Sequence, residues 1–510
     1  MKTLKCFHRK SIFTLLAATL ALPTVASGQA PGGQDKAVSV SKVVRMNHAP
    51  VSKEVLRVKL GKPVEAMLSN GLTVMIMEDH RFPTVSVLLS ISGAGGIFDP
   101  AETPGLATFT AQMLREGTKT RTSRQIAEEI DKLGATMNAG AGFGSASTGL
   151  NASGLSDNFE QWFALATDLL LNPTFPAEEW NRLKQRTKAQ ITQQRGNAGF
   201  LVNERFNKAV YGGHPASRVA PTAEALEKLT PEALAAWNKE RYLPQNAILG
   251  IAGDVDAKTL IPKLEKWLGG WQKTDWKETL PADAGPAPGR KVYLVDRPGS
   301  VQTDVALGNI GINRKDPDYV PLVVMNRIVG DGPAARLFLN LREEKGYTYG
   351  VYSFFGALKH KGTWTAGGNM RSEVTEDAMT EFMKEFARIR DEKVPEAELE
   401  EAKRAVVAGF ALSLEQATTL LNFAITRKIY GFPEDYWDTY PAKIMAVTAD
   451  DVQRIARKYV DVDRMQIVAV GDASKIKAVL EKLGPVEVYD TDGKPAVAKA
   501  VSPGGAPEPK

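Results

Sequence analysis

The feature that most constrains the fold of this chain is a long-range internal repeat. Residues 229–254 (LTPEALAAWNKERYLPQNAILGIAGD) correspond to residues 447–472 (VTADDVQRIARKYVDVDRMQIVAVGD). In each copy a Thr at a helix N-cap position precedes a helix, and an apolar strand then ends in Gly-Asp, with the Asp 24 residues after the Thr. AVYGGHP at 209–215 similarly matches KIYGFPE at 428–434. Copies that lie 218 residues apart indicate a duplicated domain and not a solenoid of short units.

The length and composition agree with two domains. A chain of 510 residues exceeds one typical hydrophobic core, and the Pro/Gly/Ala-rich stretch at 280–289 has the composition of a linker. We therefore predict the following segments: a signal peptide at 1–28, a flexible segment at 29–45, a first half at 46–279, the linker at 280–289, a second half at 290–485, and a disordered tail at 486–510.

Strand and helix patterns alternate within each half. Apolar runs at 72–79 and 84–92 predict β-strands in the first half, and runs at 291–298 and 301–311 predict them in the second. Thr122 and Gln125 form a capping box for a helix that ends at Gly134, and a second helix at 157–171 stops before an Asn-Pro pair. The predicted fold class is α+β, with two homologous halves that each contain a mostly antiparallel sheet covered by helices.

The N-terminus has the pattern of a secretory signal. Four basic residues precede an apolar run of 11 residues at 12–22, and the small residues Ala26, Ser27 and Gly28 follow. This run is too short to anchor the chain in a bilayer, and a buried N-terminal helix is the alternative. Removal of the segment lowers the net charge from +5 to +1, which argues against nucleic-acid binding. It also removes Cys6, the single cysteine, so we expect a disulfide-free protein of the bacterial periplasm.

Residues 105–118 (GLATFTAQMLREGT) have the frame of a zinc-peptidase helix without its chemistry. In the inverted motif H-x-x-E-H, two His four residues apart bind zinc and the Glu acts as general base. In that register the His positions hold Thr108 and Gln112, and the Glu position holds Ala111. Farther along, the segment LREEKGYTYG places Arg342 seven residues before Tyr349. With these motifs the chain resembles the pitrilysin/insulinase family, and within it the subunit of mitochondrial processing peptidase type that lacks zinc and supplies an Arg/Tyr pair.

The resemblance places the third zinc ligand of the family at Gln190, in the segment LKQRTKAQI at 183–191. Thr108, Gln112 and Gln190 offer no anionic donor to a zinc ion, and Ala111 cannot deprotonate a bound water. The chain has five His, none of which lies four residues from another. We therefore expect no metal in this chain, and the resemblance implies zinc in a partner subunit. The alternative for this segment is an ordinary amphipathic core helix.

Arg342 and Tyr349 lie at a predicted helix-to-strand junction. We predict a helix at 333–344 with Gly346 at its exit, followed by a strand at 347–355 that carries Tyr349. The resemblance implies that Arg342 holds the substrate backbone and that Tyr349 stabilises the tetrahedral intermediate, whereas Tyr347 and Tyr352 are weaker candidates. The alternative is structural, because an Arg near a helix end meets the helix dipole favourably and a strand aromatic commonly packs.

A stretch of small residues at 138–154 (NAGAGFGSASTGLNASG) bears on substrate binding. In the family the matching strand lies beside the zinc helix and accepts substrate as an added strand, and Asn138 and Ala139 match its start. Small side chains on an edge strand would let an extended peptide approach closely. A glycine-loosened strand without any ligand is the alternative.

Two functional hypotheses follow from these residues. The first is a non-zinc subunit of a heteromeric periplasmic metallopeptidase, which binds unfolded peptide, pairs with a zinc-bearing homologue and is inactive alone. The second is a catalytically inert peptide-binding or scaffold protein of the same fold. A scaffold protein that has lost catalysis would not need the Arg/Tyr pair, so the presence of the pair favours the first hypothesis. An active homodimer finds no support, because the sequence shows no nucleophile and base in combination.

Overall fold

The computed structural model describes residues 54–496, which are organised around two β-sheets. The predicted signal peptide at 1–28 and flexible segment at 29–45 lie outside the described residues. Between residues 54 and 496, no helix has the length and apolar character needed to cross a bilayer.

The first sheet belongs to the N-terminal half. Its strands are β1 (Val64–Met67), β2 (Thr73–Glu78), β3 (Thr84–Ser92), β4 (Thr136–Ala141), β5 (Ser147–Leu155) and β6 (Ala247–Gly253). The helices of this half are α1 (Leu106–Met113), α2 (Ser123–Lys132), α3 (Phe159–Leu171), α4 (Ala177–Gln194), α5 (Ala198–Tyr211), α6 (Ala223–Lys228), α7 (Pro231–Arg241) and α8 (Ala257–Leu268). The strand order is β1-β2-β6-β3-β5-β4, in which β2 and β6 are parallel and the other neighbours antiparallel.

The second sheet belongs to the C-terminal half. Its strands are β7 (Lys291–Asp296), β8 (Gln302–Ile310), β9 (Ile312–Asn313), β10 (Val351–Leu358), β11 (Lys361–Arg371), β12 (Gln466–Gly471) and β13 (Val486–Tyr489). The helices are α9 (Tyr319–Val329), α10 (Arg336–Phe338), α11 (Thr375–Asp391), α12 (Glu396–Ser413), α13 (Ala417–Tyr430), α14 (Tyr440–Met445), α15 (Ala449–Tyr459) and α16 (Ala473–Glu481). The order is β13-β7-β12-β8-β11-β10-β9, antiparallel through β12, β8, β11 and β10 and parallel in the pairings at both ends.

The two sheets confirm the predicted duplication. The order β2-β6-β3-β5-β4 in the first half is the order β7-β12-β8-β11-β10 in the second, with the same parallel and antiparallel senses. Thr230 caps α7 and Thr448 caps α15, and each helix leads to a central strand, β6 or β12. The capping box of Thr122 and Gln125 is also present at the start of α2. The α+β fold class with two homologous halves is therefore confirmed.

The predicted tail at 486–510 needs a correction. Its first residues form β13, which pairs in parallel with β7, and Ala496 N donates to the Val488 carbonyl at 2.8 Å. The alternation in Val-Glu-Val-Tyr is a strand pattern, but a four-residue strand gives too weak a periodic signal beside a Pro/Gly/Ala-rich segment. The rest of the predicted tail, from residue 497, lies outside the described residues.

Each sheet is covered on one face by helices of its own half and on the other by one helix from the opposite half. Helix α5 places Leu201, Phe206 and Val210 against β7, β8 and β12 of the second sheet. Helix α13 places Leu421 and Ile425 against β2 and β6 of the first sheet. The two halves thus exchange one helix each, and neither sheet can bury both faces without the other half.

A buried histidine lies where the halves meet. His360, in the turn between β10 and β11, is only 2% exposed, and its ring centroid is 5.6 Å from that of His214, which follows α5. Among residues 54–496 neither ring nitrogen of His360 has a hydrogen-bond partner. Burial, with a smaller contribution from the nearby His214, lowers the pKa of His360 to about 4, so this imidazole is neutral at pH 7. Lys361 N next to it donates to Asp283 Oδ1 at 2.9 Å, which ties the predicted linker to the second half.

The helix exchange predicts a large effect of substitution on α5. Phe206 is 3% exposed and packs against Ala306 and Val468. Phe206→Ala should lower the free energy of unfolding by about 3–5 kcal/mol, because it removes a buried ring at a contact between the halves. Urea unfolding measures the effect. Phe82→Ala is the matched control, since Phe82 is 67% exposed and its loss should change stability little. A loss of similar size in both variants would contradict the packing argument.

The buried His360 predicts an acid-dependent loss of stability. The unfolded chain binds a proton at the ordinary pKa of about 6.5, whereas folded His360 binds one only near pH 4. Folding stability should therefore fall as the pH drops from about 6.5 to 4, with a contribution of about 3 kcal/mol from this residue. In urea unfolding at pH 7.5 and 4.5, His360→Gln should show a smaller acid loss than the unsubstituted chain.

The matched control is His80, whose pKa is raised by its hydrogen bond to Asp254. A raised pKa contributes stability at low pH, so His80→Gln should not reduce the acid loss. If His360→Gln left the acid loss unchanged, protonation of His360 would not be its cause.

Candidate functional site

Arg342 lies in a π-helical turn, Leu339–Glu344, that directly follows α10. The predicted start of this helix at residue 333 is wrong. Gly332 has a φ of 118° and Ala335 is extended, so the chain becomes helical only at Arg336. Gly346 has a φ of 65°, and Tyr347 N donates to the Leu341 carbonyl at 2.9 Å. This glycine ends the turn, as the sequence predicts, because the left-handed conformation suits a residue without a side chain.

Tyr349 lies in the bend before β10 and not on the strand. The prediction of a strand at 347–355 is therefore wrong at its start, since β10 begins at Val351. The physical reason is a local turn: Gly350 N donates to Thr348 Oγ1 at 3.0 Å, and that hydroxyl donates to the Gly350 carbonyl at 2.9 Å. The bend leaves Tyr349 88% exposed, and within residues 54–496 its hydroxyl has no hydrogen-bond partner.

The structure brings Arg342 and Tyr349 together at one cavity of about 530 Å³. Arg342 Nε donates to the Tyr349 carbonyl at 3.2 Å, and its guanidinium lies 5.0 Å from the ring centroid of Phe338. It also forms an ion pair with Glu343. These contacts fix the guanidinium beside the main chain of Tyr349 and leave the phenol free. The arrangement offers two kinds of donor, a guanidinium and a phenol, to oxygen atoms of one ligand. Tyr347 also lines this cavity, whereas Tyr352 does not.

The former zinc helix, α1, is held at its N-terminus by Asp99. Gly105 N donates to one carboxylate oxygen of Asp99 at 2.7 Å, and Ala107 N donates to the other at 2.9 Å. Gly105 itself has a φ of 104°, and a side chain there would meet Phe109. The Gly-Leu-Ala sequence at the start of α1 therefore serves a structural need that persists without the zinc chemistry.

The three motif positions on α1 now have different environments. Thr108 Oγ1 donates to the Ala141 carbonyl at 2.8 Å, so this side chain joins α1 to β4. Ala111 is fully buried in the first core, and Gln112 is exposed. Gln190 is an exposed residue of α4, but it does not line the cavity that Gln112 lines.

These donors do not fit a zinc ion. A hydroxyl already bonded to a main-chain carbonyl and two neutral amides supply neither the charge nor the donor types of a zinc site. In residues 54–496 there is no group of three or more His, Cys, Asp or Glu side chains that could hold a metal. We therefore assign no metal-dependent step to this chain.

Strand β4 is the terminal strand of the first sheet and borders a second cavity, of about 570 Å³. Asn138 and Ala139 of β4 line this cavity together with Gln112 of α1, so the structure joins three of the sequence-predicted positions. With β5 on one side, the other side of β4 has no strand partner in the described part of the chain. An open edge next to a cavity is the geometry by which an extended peptide adds to a sheet.

Sequence reasoning missed the arginines of this cavity. Arg115, in the turn just after α1, and Arg182 and Arg186 of α4 line it, together with Glu116 and Glu179. Part of a signal was present, because Arg182 precedes Arg186 by four residues, a spacing that places two side chains on one helix face.

Both halves of the chain match models of known protein families. The family model described as insulinase (peptidase family M16) matches residues 73–221, and the one described as peptidase M16 inactive domain matches residues 228–406. The chain is 24% identical over 355 residues to an uncharacterized zinc protease, YmxG, of Bacillus subtilis, covering 69% of this chain and 85% of the relative. It is 24% identical over 425 residues to the probable mitochondrial-processing peptidase subunit beta of Schizosaccharomyces pombe, covering 81% and 92%.

A solved structure described as a peptidase M16 inactive domain, from Pseudomonas fluorescens, has the same fold. It superposes with a TM-score of 0.74 at 25% identity and covers 80% of this chain and 98% of its own. The two family-model matches lie one in each half, and together they include the residues that line both cavities.

Proposed function

The chain belongs to the insulinase family of peptidases, peptidase family M16, and we propose that it is the non-zinc subunit of a heteromeric metallopeptidase. In this proposal it binds unfolded peptide and stabilises the transition state of hydrolysis at the zinc of a homologous partner. The Arg342/Tyr349 pair carries the proposal, because two oxygen-directed donors at one open cavity have no structural task that explains the exposed phenol.

The donor geometry supports a role in peptide hydrolysis. The free phenol of Tyr349 can donate to the oxygen on which negative charge develops, and Arg342 can donate its remaining N–H groups to a neighbouring peptide carbonyl. The hydrogen bond from Arg342 to the Tyr349 carbonyl holds the guanidinium beside the main chain of Tyr349. Preorganised donors of this type are effective because they need no rearrangement when the charge forms.

The first half would supply the peptide-binding edge. The unpaired side of β4 offers main-chain donors and acceptors, and the small residues Asn138 and Ala139 leave room for an added strand. An extended peptide held in this way has no conformational freedom left to lose at the scissile bond, which favours reaction. The two functions, binding on β4 and charge stabilisation near β10, thus reside in different halves of one chain.

The zinc ligands that this chain lacks indicate what the proposed partner must contain. Bound zinc supplies a Lewis acid and an activated water, and the donors on α1 and α4 do not fit that ion. The complementary chain would be an M16 homologue that keeps H-x-x-E-H. The Schizosaccharomyces pombe relative is a probable subunit of a mitochondrial-processing peptidase, and this similarity supports an assembly of subunits. The basic, apolar and small-residue pattern at 1–28 supports a periplasmic location for the complex.

A second candidate is an inert peptide-binding scaffold of the same fold. Its support is the loss of all four zinc-chemistry positions, Thr108, Ala111, Gln112 and Gln190, together with the similarity to a domain described as inactive. The scaffold would use the open edge of β4 and would have no catalytic use for Tyr349.

Reconstitution tests the proposal. The chain and the H-x-x-E-H homologue from the same genome should be purified separately and together, and hydrolysis of a quenched-fluorescence peptide library measured with and without a chelator. We expect this chain alone to be inactive and to raise the activity of the partner strongly, with the joint activity abolished by the chelator. A stable complex without a gain in activity would support the scaffold, and chelator-insensitive hydrolysis by this chain alone would overturn both candidates.

Substitution of the pair should lower turnover without disrupting the complex. Loss of one oxyanion donor costs about 3–4 kcal/mol in the transition state, so Tyr349→Phe should reduce kcat of the reconstituted enzyme by about 100-fold or more. Arg342→Ala should reduce kcat/KM, because the guanidinium would bind the peptide main chain. Steady-state kinetics measures both effects, and gel filtration checks assembly.

Tyr352→Phe is the matched control. Tyr352 is also partly exposed and lies three residues from Tyr349, but it does not line the cavity. Its substitution should leave kcat within about twofold of the unsubstituted enzyme. Full activity of both Tyr349→Phe and Arg342→Ala would show that the pair is structural.

A further inference from the structure

We propose that the cavity lined by Gln112, Asn138 and Ala139 is a carboxylate-binding subsite, formed by Arg115 and Arg186. The inference rests on the peptide-binding part of the proposed function and adds the class of ligand group that the cavity accepts. The cavity of about 570 Å³ lies between α1, α4 and the open edge strand β4, so a peptide on that edge would pass directly beside it.

Arg115 is a guanidinium with unused donors in a partly buried position. Its Nη1 donates to Asn138 Oδ1 at 3.3 Å, a long contact to a neutral acceptor. Its Nε is buried and has no hydrogen-bond partner among residues 54–496. A buried donor without an acceptor is unfavourable, and an incoming carboxylate would satisfy the guanidinium with two parallel hydrogen bonds.

Arg186 supplies a second uncompensated charge from α4. It lines the same cavity, and in the described part of the chain it forms no hydrogen bond or ion pair. Arg182, one helical turn earlier, differs in this respect, because it donates to Glu179 at 3.0 Å and also pairs with Glu178. Two arginines of the cavity are therefore free for a ligand, and one is neutralised.

The acidic side chains of the cavity do not cancel this charge. Glu179 forms an ion pair with Arg182, and Glu116 accepts a hydrogen bond from Ser123 Oγ at 2.7 Å. With three arginines and two glutamates lining the cavity, the net charge is positive. Part of this charge is carried by Arg115, which is half-buried, and a positive charge in such a position attracts an anion more strongly than on an open surface.

The ligand chemistry follows from the neighbouring strand. An extended chain that pairs with β4 exposes alternate side chains and, at its end, a main-chain carboxylate. Either source presents the same planar group, which the guanidinium fork of Arg115 fits bidentately. The subsite would thus select peptides with an acidic side chain or a free C-terminus near the paired segment.

The experiment measures binding of labelled peptides to the purified full chain by fluorescence anisotropy. Three peptides of one apolar sequence are compared: one with a free C-terminus and no acidic residue, one amidated with a single Glu, and one amidated without any carboxylate. We expect at least one carboxylate peptide to bind about tenfold more tightly than the carboxylate-free peptide, with the advantage reduced at high salt. Which of the first two binds more tightly distinguishes the C-terminal source from the side-chain source.

Substitutions assign the preference to the cavity. Arg115→Gln and Arg186→Gln should each reduce the carboxylate advantage to about twofold or less while leaving the affinity for the carboxylate-free peptide unchanged. Arg182→Gln is the matched control, since its charge is already paired, and it should keep the advantage. Circular dichroism checks that all three variants are folded.

The outcomes separate this inference from the proposed function. Equal affinity for the three peptides, or an equal effect of all three substitutions, would overturn the carboxylate subsite but leave peptide binding intact. Failure of all three peptides to bind would overturn the subsite and the peptide-binding role together. The kinetic role of Arg342 and Tyr349 is tested separately, at the other cavity.

Discussion

The fold depends on the exchange of one helix between the halves. A sheet with apolar residues on both faces must bury both, and each half has helices of its own for only one of them. Helix α5 closes the second sheet through Phe206, and α13 closes the first through Leu421. At Gly250 of β6 an added Cβ would lie 2.7 Å from Ile425 Cδ1, so a side chain there would force Ile425 of α13 to shift. The duplicated domains are therefore interdependent parts of one folding unit.

Duplication also gives the two halves corresponding helix-to-strand junctions, each of which lies near one of the two cavities. In the first half a helix ends at Gly134, with a φ of 58°, and β4 follows; in the second a helix ends at Gly346, with a φ of 65°, and β10 follows. Strands β4 and β10 hold equivalent positions in their sheets. In the first half, β4 is an open edge strand with an arginine-lined cavity beside it. In the second half, the segment before β10 carries the Arg/Tyr pair. The same kind of helix-to-strand junction thus carries different candidate functional residues in the two halves.

The sequence was most informative where local chemistry determines structure. The caps at Thr122, Thr230 and Thr448, and the repeat that contains two of them, were readable because capping and periodicity depend on neighbouring residues. The position of Tyr349 was not, because a hydroxyl of Thr348 competes with strand formation in an aromatic segment of high β-propensity. The sequence also did not predict which sheet α5 and α13 pack against, because amphipathicity indicates that a helix face is buried but not which sheet buries it.

The neutral residues at the zinc-motif positions and the arginines at the neighbouring cavity are electrostatically consistent with each other. A zinc site needs anionic or strongly donating ligands, and its dication attracts the oxygen atoms of a substrate. Without the ion, carboxylate ligands at the same positions would repel those oxygens. Here the ligand positions carry neutral Thr108, Gln112 and Gln190, and Arg115, in the turn just after α1, supplies positive charge at the cavity that Gln112 lines. The cavity therefore keeps an attraction for oxygen atoms without a zinc site, which agrees with the proposal that hydrolysis occurs at the zinc of a partner chain.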